Sequence, residues 1–312
     1  MEAILNVVLP VFAIIAAGWG AGRAGLLGDA SSEALNRFVY WVALPALLFR
    51  AMATVDFAVV FNGPFIASFM IGVAVIWALA MVVARVFFGA GLAEAALNGL
   101  NSTYGNSGYM GIPLVVAAYG EAAALPAIVV VIINTALMVG IAIALIELGQ
   151  NRGTHPGAVA RHLARALARN PMLVGPLAGV AWAATGWALP VPLDTFTDIL
   201  GAAAGPCALF SIGLFMVGKR LSQGKAEVGA MVLTKLAVHP LLTAALVFWV
   251  FPMEPLWAAV AVLMAALPTG TGGFVLAQAY GVYVLRTSSA ILVTTVLSVA
   301  TVSLVFLFFP PS

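Results

Sequence analysis

A chain of 312 residues that is 63% apolar and only 8% charged, with a mean hydropathy of +1.12, cannot clothe a water-facing surface, since soluble domains carry about 25% charged residues. Lipid is its main solvent, and at about 20 residues per crossing of ~30 Å of hydrocarbon the length holds about ten spanning helices with no soluble domain left over. The net charge of +2 says nothing about nucleic acid, because the basic residues are loop residues rather than a patch on a folded face; no nucleic-acid partner is expected, and the single Cys207 excludes an internal disulfide.

Apolar runs bounded by charge, Gly or Pro predict spans near 3–22, 35–55, 62–88, 94–117, 122–147, 171–188, 196–217, 227–251, 256–279 and 286–309. The first follows Glu2 rather than a basic n-region and precedes Arg23, which reads as a spanning helix and not as a signal peptide. The second carries Pro45-Ala-Leu-Leu-Phe49, with Arg50 at its outer edge. The fourth is interrupted by Asn101-Ser-Thr-Tyr-Gly-Asn106-Ser-Gly-Tyr109-Met-Gly-Ile-Pro113. After the fifth comes the one long connection, 150–170, where Arg161, Arg165 and Arg169 recur every four residues opposite Val159, Leu163 and Leu167. This predicts a short amphipathic helix on the inner leaflet, or else a solvated basic linker. The seventh span repeats the earlier motif as Pro206-Cys-Ala-Leu-Phe210, and the eighth holds Lys235 and His239 four residues apart on one face. The ninth is interrupted in its turn, by Ala266-Leu-Pro268-Thr-Gly270-Thr271-Gly-Gly273-Phe274.

Orientation follows from the basic residues. With the N-terminus outside, the inner loops hold all of the 13 Lys and Arg except Arg50 and Lys235, as positive-inside placement requires. Both termini then face outward from a cytoplasmic membrane.

Two motif pairs share one offset: Pro45 to Pro206 (206 − 45 = 161) and Ala118-Tyr-Gly120 to Ala279-Tyr-Gly281 (279 − 118 = 161). They divide the chain into a five-helix repeat over 1–149, the loop over 150–170, and a second repeat over 171–312. An odd number of spans per half inserts the second copy upside down, a common plan for secondary transporters.

The interruptions point to the chemistry. Non-helical backbone survives at membrane depth only where it is buried in protein or lines a cavity. Two such breaks in inverted halves would meet near the midplane, their half-helix N-termini aimed at a shared space that suits a carboxylate. Asn106, Ser107, Thr269 and Thr271 supply neutral donors, and Tyr104 and Tyr109 flank the first break. A pair of kinks with satisfied backbone and no ligand is the plainer reading. For Lys235 and His239 three readings stand open: a lysine stem snorkelling to the interface, substrate contact or proton coupling by the pair, and packing against a neighbouring helix end. The interruptions contain no Asp or Glu, so a sodium site would have to use backbone carbonyls and hydroxyls, and coupling to sodium, to protons or to neither stays open. No cofactor or metal is expected.

Asn106-Ser-Gly-Tyr-Met-Gly-Ile-Pro-Leu114, Ala266-Leu-Pro-Thr-Gly270 leading into Phe274-Val-Leu-Ala277, Asn170-Pro171, and Lys235-Leu-Ala-Val-His-Pro240 resemble the auxin efflux carrier family nearly end to end. That resemblance implies an all-α integral membrane fold of ten helices, a 5+5 inverted repeat with crossed, broken helices 4 and 9, as in bile-acid symporters and sodium–proton antiporters. It implies that helices 1, 2, 6 and 7 form a scaffold, able to pair in a homodimer, and that an organic carboxylate binds at the crossover through Asn106, Pro113 and Pro268. The short central loop departs from the long hydrophilic loop of the larger plant exporters, which argues against auxin itself. The expected function is a secondary transporter of a small organic anion working by alternating access. A channel, a membrane subunit of a larger complex, or an intramembrane enzyme are the alternatives; the last would need a paired-carboxylate, Ser–His or metal arrangement that His155, His162 and His239 do not supply.

Overall fold

The structure, a computed structural model, describes residues 7–54, 62–150, 168–218 and 224–310 and a few positions between 157 and 165. Most of the predicted loop helix over 150–170 lies outside the described residues, Val159, Leu163 and Leu167 included. Helix occupies part of each of the ten predicted spans.

In chain order the helices are α1 (Leu9–Arg23), α2 (Asp29–Phe38, Val39–Ala43 and Leu44–Ala53), α3 (Gly63–Phe88) and α4 (Leu92–Thr103). Then come α5 (Ser107–Tyr119), α6 (Glu121–Gly149), α7 (Pro171–Ala183) and α8 (Val191–Met216). The last four are α9 (Lys225–Val250), α10 (Pro255–Ala266), α11 (Gly272–Tyr280) and α12 (Val284–Phe308). Five of them, α3, α6, α8, α9 and α12, are long and apolar enough to cross a membrane by length and composition. Large apolar side chains stand exposed along α3 and α12, Val82, Phe87, Val296 and Phe308 among them, as lipid-facing surface requires.

Local sequence explains several details. Asn62 and Asn170 cap α3 and α7 by accepting from the amides of Phe65 (3.1 Å) and Met172 (2.9 Å), with Pro in each first turn. Three π turns, Val39–Ala43, Ser107–Gly111 and Thr234–Val238, each end two residues before a proline, at Pro45, Pro113 and Pro240. The widened coil absorbs the missing donor and the ring clash that would otherwise break the helix. α5 and α11 stop at Tyr119 and Tyr280 because Gly120 and Gly281 take positive φ (77° and 66°), a conformation that favours glycine.

Packing repeats the sequence offset. α1 lies along α8 and α7 along α2, and both seams close on glycine. A Cβ on Gly18 would fall 2.1 Å from the Phe210 carbonyl oxygen, and one on Gly179 would fall 2.4 Å from that of Phe49. Both partners are related by one shift: 179 − 18 = 161 and 210 − 49 = 161. Small residues let backbones approach this closely where lipid provides no hydrophobic drive between helices.

Elsewhere polar side chains hold the helices. Glu227 on α9, buried, takes the Arg286 guanidinium at 2.7 Å and the Tyr283 hydroxyl, and Tyr283 in turn accepts from Asn98 Nδ2 at 3.0 Å. α4, α9 and the start of α12 are thereby tied together.

Candidate functional site

The first interruption falls earlier than its proline. α4 ends at Thr103, Tyr104 turns extended (ψ 98°), and Asn106 (ψ 55°) leads into the π turn that opens α5. The Asn106 carbonyl accepts from the amides of Met110 and Gly111, each at 3.0 Å. Pro113 lies within α5, two residues after that turn, and takes no part in the break.

The second interruption, between Ala266 and Gly272, lies directly against the first. Asn106 N donates to Pro268 O (2.8 Å) and Gly270 N donates to Tyr104 O (2.9 Å), closing an antiparallel bridge between Gly105 and Thr269. Gly270 is glycine because a Cβ there would fall 2.7 Å from the Tyr104 ring and 2.8 Å from the Gly105 carbonyl oxygen. Thr269 spends both its donors on the frame: its amide donates to Thr294 Oγ1 (3.0 Å) and its hydroxyl to Asn101 O (2.8 Å). The bridge satisfies the extended backbone but leaves the first-turn amides of α5 and α11 without intrahelical acceptors.

Both of those N-termini reach one cavity of about 810 Å³. Its floor is Tyr104 to Tyr109 together with Thr271 and Gly272, its walls include Tyr40, Trp41, Phe215 and Phe274, and Glu33 and Arg37, ion-paired at 2.6 Å, stand at its edge. Asn106 is 5% exposed, and its side chain bonds no described residue. Ser107 Oγ accepts from Asn134 Nδ2 (3.0 Å), which leaves the serine proton free to donate. Tyr109 Oη donates to Asn36 O at 3.4 Å, and Ser211 Oγ donates to Asn36 Oδ1 at 3.1 Å. Asn36 and Ser211 went unmarked in the sequence, because a single polar residue within a span forms no pattern.

The structure therefore gathers Tyr104, Asn106, Ser107, Tyr109 and Thr271 around one space, with Pro268, Thr269 and Gly270 as the frame beneath it. Pro113 faces a second cavity, of about 1300 Å³, shared with Arg50, Glu121, Asp194, Asp198 and Glu254. Neither break contributes to that cavity, and Arg50 is engaged there with Asp194 (2.6 Å) and Asp198 (2.9 Å). Lys235 does not snorkel: it is wholly buried and its Nζ donates to Ala265 O at 2.5 Å, at the end of α10. His239 is buried beside Phe69, neither ring nitrogen having a hydrogen-bond partner among the described residues.

Residues 3–306 match the family described as membrane transport protein. The chain belongs to this family. It is similar to a candidate malonate transporter of Rhizobium meliloti, with 36% identity over 97% of this chain and 95% of the relative. It is also similar to the uncharacterised transporter YfdV of Escherichia coli K12, with 25% identity over 93% of this chain and 92% of the relative. Auxin efflux carrier component 8 of Arabidopsis thaliana matches at 32% identity over 38% of this chain and 34% of its own length. The resemblance to auxin efflux carriers is borne out, and the protein is a multi-pass membrane transporter rather than an enzyme.

Proposed function

We propose that this transporter carries a small organic carboxylate, of the malonate class, across the cytoplasmic membrane by alternating access. The observation that carries the reading is the meeting, in one cavity, of two helix N-termini and the buried Asn106 side chain, which bonds no described residue. Each helix end contributes about 0.3–1 kcal/mol toward an anion, and hydrogen bonds to a charged group from Asn106 and Ser107 contribute about 1.5–3 kcal/mol each.

In this reading α4 with α5 and α10 with α11 each make one broken span, and the ten spans form two inverted halves of five, with both termini outside. The bridged crossover and the helices around it slide as one body past a scaffold of α1, α2, α7 and α8, an elevator-type motion. The 161-residue offset shared by Gly18–Phe210 and Gly179–Phe49 supports the two-fold plan. The cavity that reaches the breaks has Arg37 at its edge, on the side where basic residues collect, and is the inward-facing one.

The test is a thermal-shift screen of mono- and dicarboxylates on purified protein. One or more carboxylates raise the melting temperature, and Asn106→Ala abolishes that rise while melting without ligand stays as in the parent. An Asn106→Ala protein that responds like the parent overturns the site; saturable counterflow in vesicles containing only this protein separates a carrier from a channel.

A further inference from the structure

Four half-helix ends meet at the crossover, and only two of them attract anions. The N-termini of α5 and α11 are positive ends, whereas the C-termini of α4 and α10 are negative ends of equal size lying just behind the bridge. Left bare, the second pair would largely cancel the first at the distance of a bound carboxylate. Transporters built on broken helices commonly meet this problem with a coupling cation held by unwound carbonyls and half-helix C-termini.

Here the cation is part of the chain. Lys235 Nζ donates to Ala265 O, one of the last carbonyls of α10, while Ala266 O takes the Thr301 hydroxyl at 3.2 Å. Lys235 is fully buried and forms no ion pair with any described carboxylate, and the bond to Ala265 O is the one described for its Nζ. It lies immediately behind the cavity floor. A Cβ built on Gly105, which lines the cavity, would stand 3.7 Å from Lys235 Nζ and 3.1 Å from the Met264 carbonyl oxygen. The first half has no equivalent: 235 − 161 = 74, and residue 74 is Ala74 on α3. Lys235 is thus the one cationic side chain that the described hydrogen bonds bring to either break.

We propose that Lys235 is a tethered cation in the place of a coupling ion: it neutralises the C-terminal ends of the crossover, so that the N-terminal ends hold an anion without sodium. Lys235 touches no part of the cavity and acts through the backbone it offsets, as a positioning residue. The proposal rests on the carboxylate-carrier reading and adds to it an answer on ion coupling.

Binding is measured by calorimetry or thermal shift on the purified protein, with malonate, acetate and benzoate in turn, in sodium chloride and in choline chloride at equal ionic strength. The parent binds equally in both salts. Lys235→Ala binds at least tenfold more weakly in choline chloride and regains affinity when sodium or methylammonium is added, because the truncation leaves room for a free cation. Lys235→Met, which fills the space without the charge, is equally weak and is not rescued. A merely structural lysine gives no such rescue. The proposal is overturned by a parent that needs sodium, by Lys235→Ala binding like the parent without added cation, or by a loss in folded Lys235→Ala that no cation restores. Should Lys235→Ala fail to fold, the two-salt comparison on the parent decides. A parent that binds none of the three acids in any salt refutes the carrier reading itself, a result distinct from binding that demands sodium.

Discussion

The seams between α1 and α8 and between α2 and α7 hold together in a different way from the crossover. Among described residues, α1 and α7 bury only apolar side chains, proline and glycine, and their partners approach to backbone contact at Gly18 and Gly179. Around the crossover buried Asn98, Asn101, Asn134, Lys235, Thr269, Thr287 and Thr294 are joined across helices by directed hydrogen bonds such as Asn101 Nδ2 to Thr287 Oγ1 at 2.9 Å. An apolar seam fixes distance but tolerates small shifts, whereas a buried polar network has few ways of being satisfied and so fixes geometry. The molecule puts directionality at the proposed ligand site and plain close packing at the proposed scaffold. Between the two regions, the Tyr109–Asn36 bond is long, at 3.4 Å.

This contrast can be broken by substitution. Gly270→Val drives methyl groups into the Tyr104 ring and the Gly105 carbonyl, and the expected outcome in vesicle counterflow is complete loss of transport. Gly18→Leu wedges α1 from α8 and costs about 1–3 kcal/mol or more by overpacking; the melting temperature falls, yet a carboxylate still raises it. A folded Gly18→Leu protein that no longer responds to any carboxylate would erase the distinction between support and site. Tyr283→Phe leaves Glu227 and Asn98 each short of a partner, a loss of about 1–3 kcal/mol read as a lower denaturation midpoint. Arg50→Gln removes a half-exposed pairing with Asp194 and Asp198, and stability changes by no more than about 1 kcal/mol, with the carboxylate response unaltered.

Much of this was legible in residue order. The apolar runs located the helices, and Pro45/Pro206 and Ala118/Ala279 carried the offset that Gly18–Phe210 and Gly179–Phe49 repeat in space. The Gly- and polar-rich stretches after Asn101 and Ala266 marked both breaks. What stayed hidden was long-range. Pro113 looked like part of the first break, but a π turn accommodates it inside α5, and the break sits at Tyr104–Asn106 because residues 268–270 pair with it there. No local pattern displays a pairing between positions so far apart in sequence. Lys235 was visible as an intramembrane charge, but its partner is a backbone carbonyl, which every residue carries and no sequence can single out.

The bridge between Gly105 and Thr269 also bears on the energetics of a transport cycle. Its two hydrogen bonds hold both helix N-termini in a common frame, so in the proposed cycle their spacing stays the same on either side of the membrane. A carrier with such a frame grips its cargo equally on either side and stores none of that grip as strain. On the proposed carboxylate-carrier reading, net flux runs down the prevailing electrochemical gradient of the anion, and reversing that gradient across a vesicle wall reverses the flow.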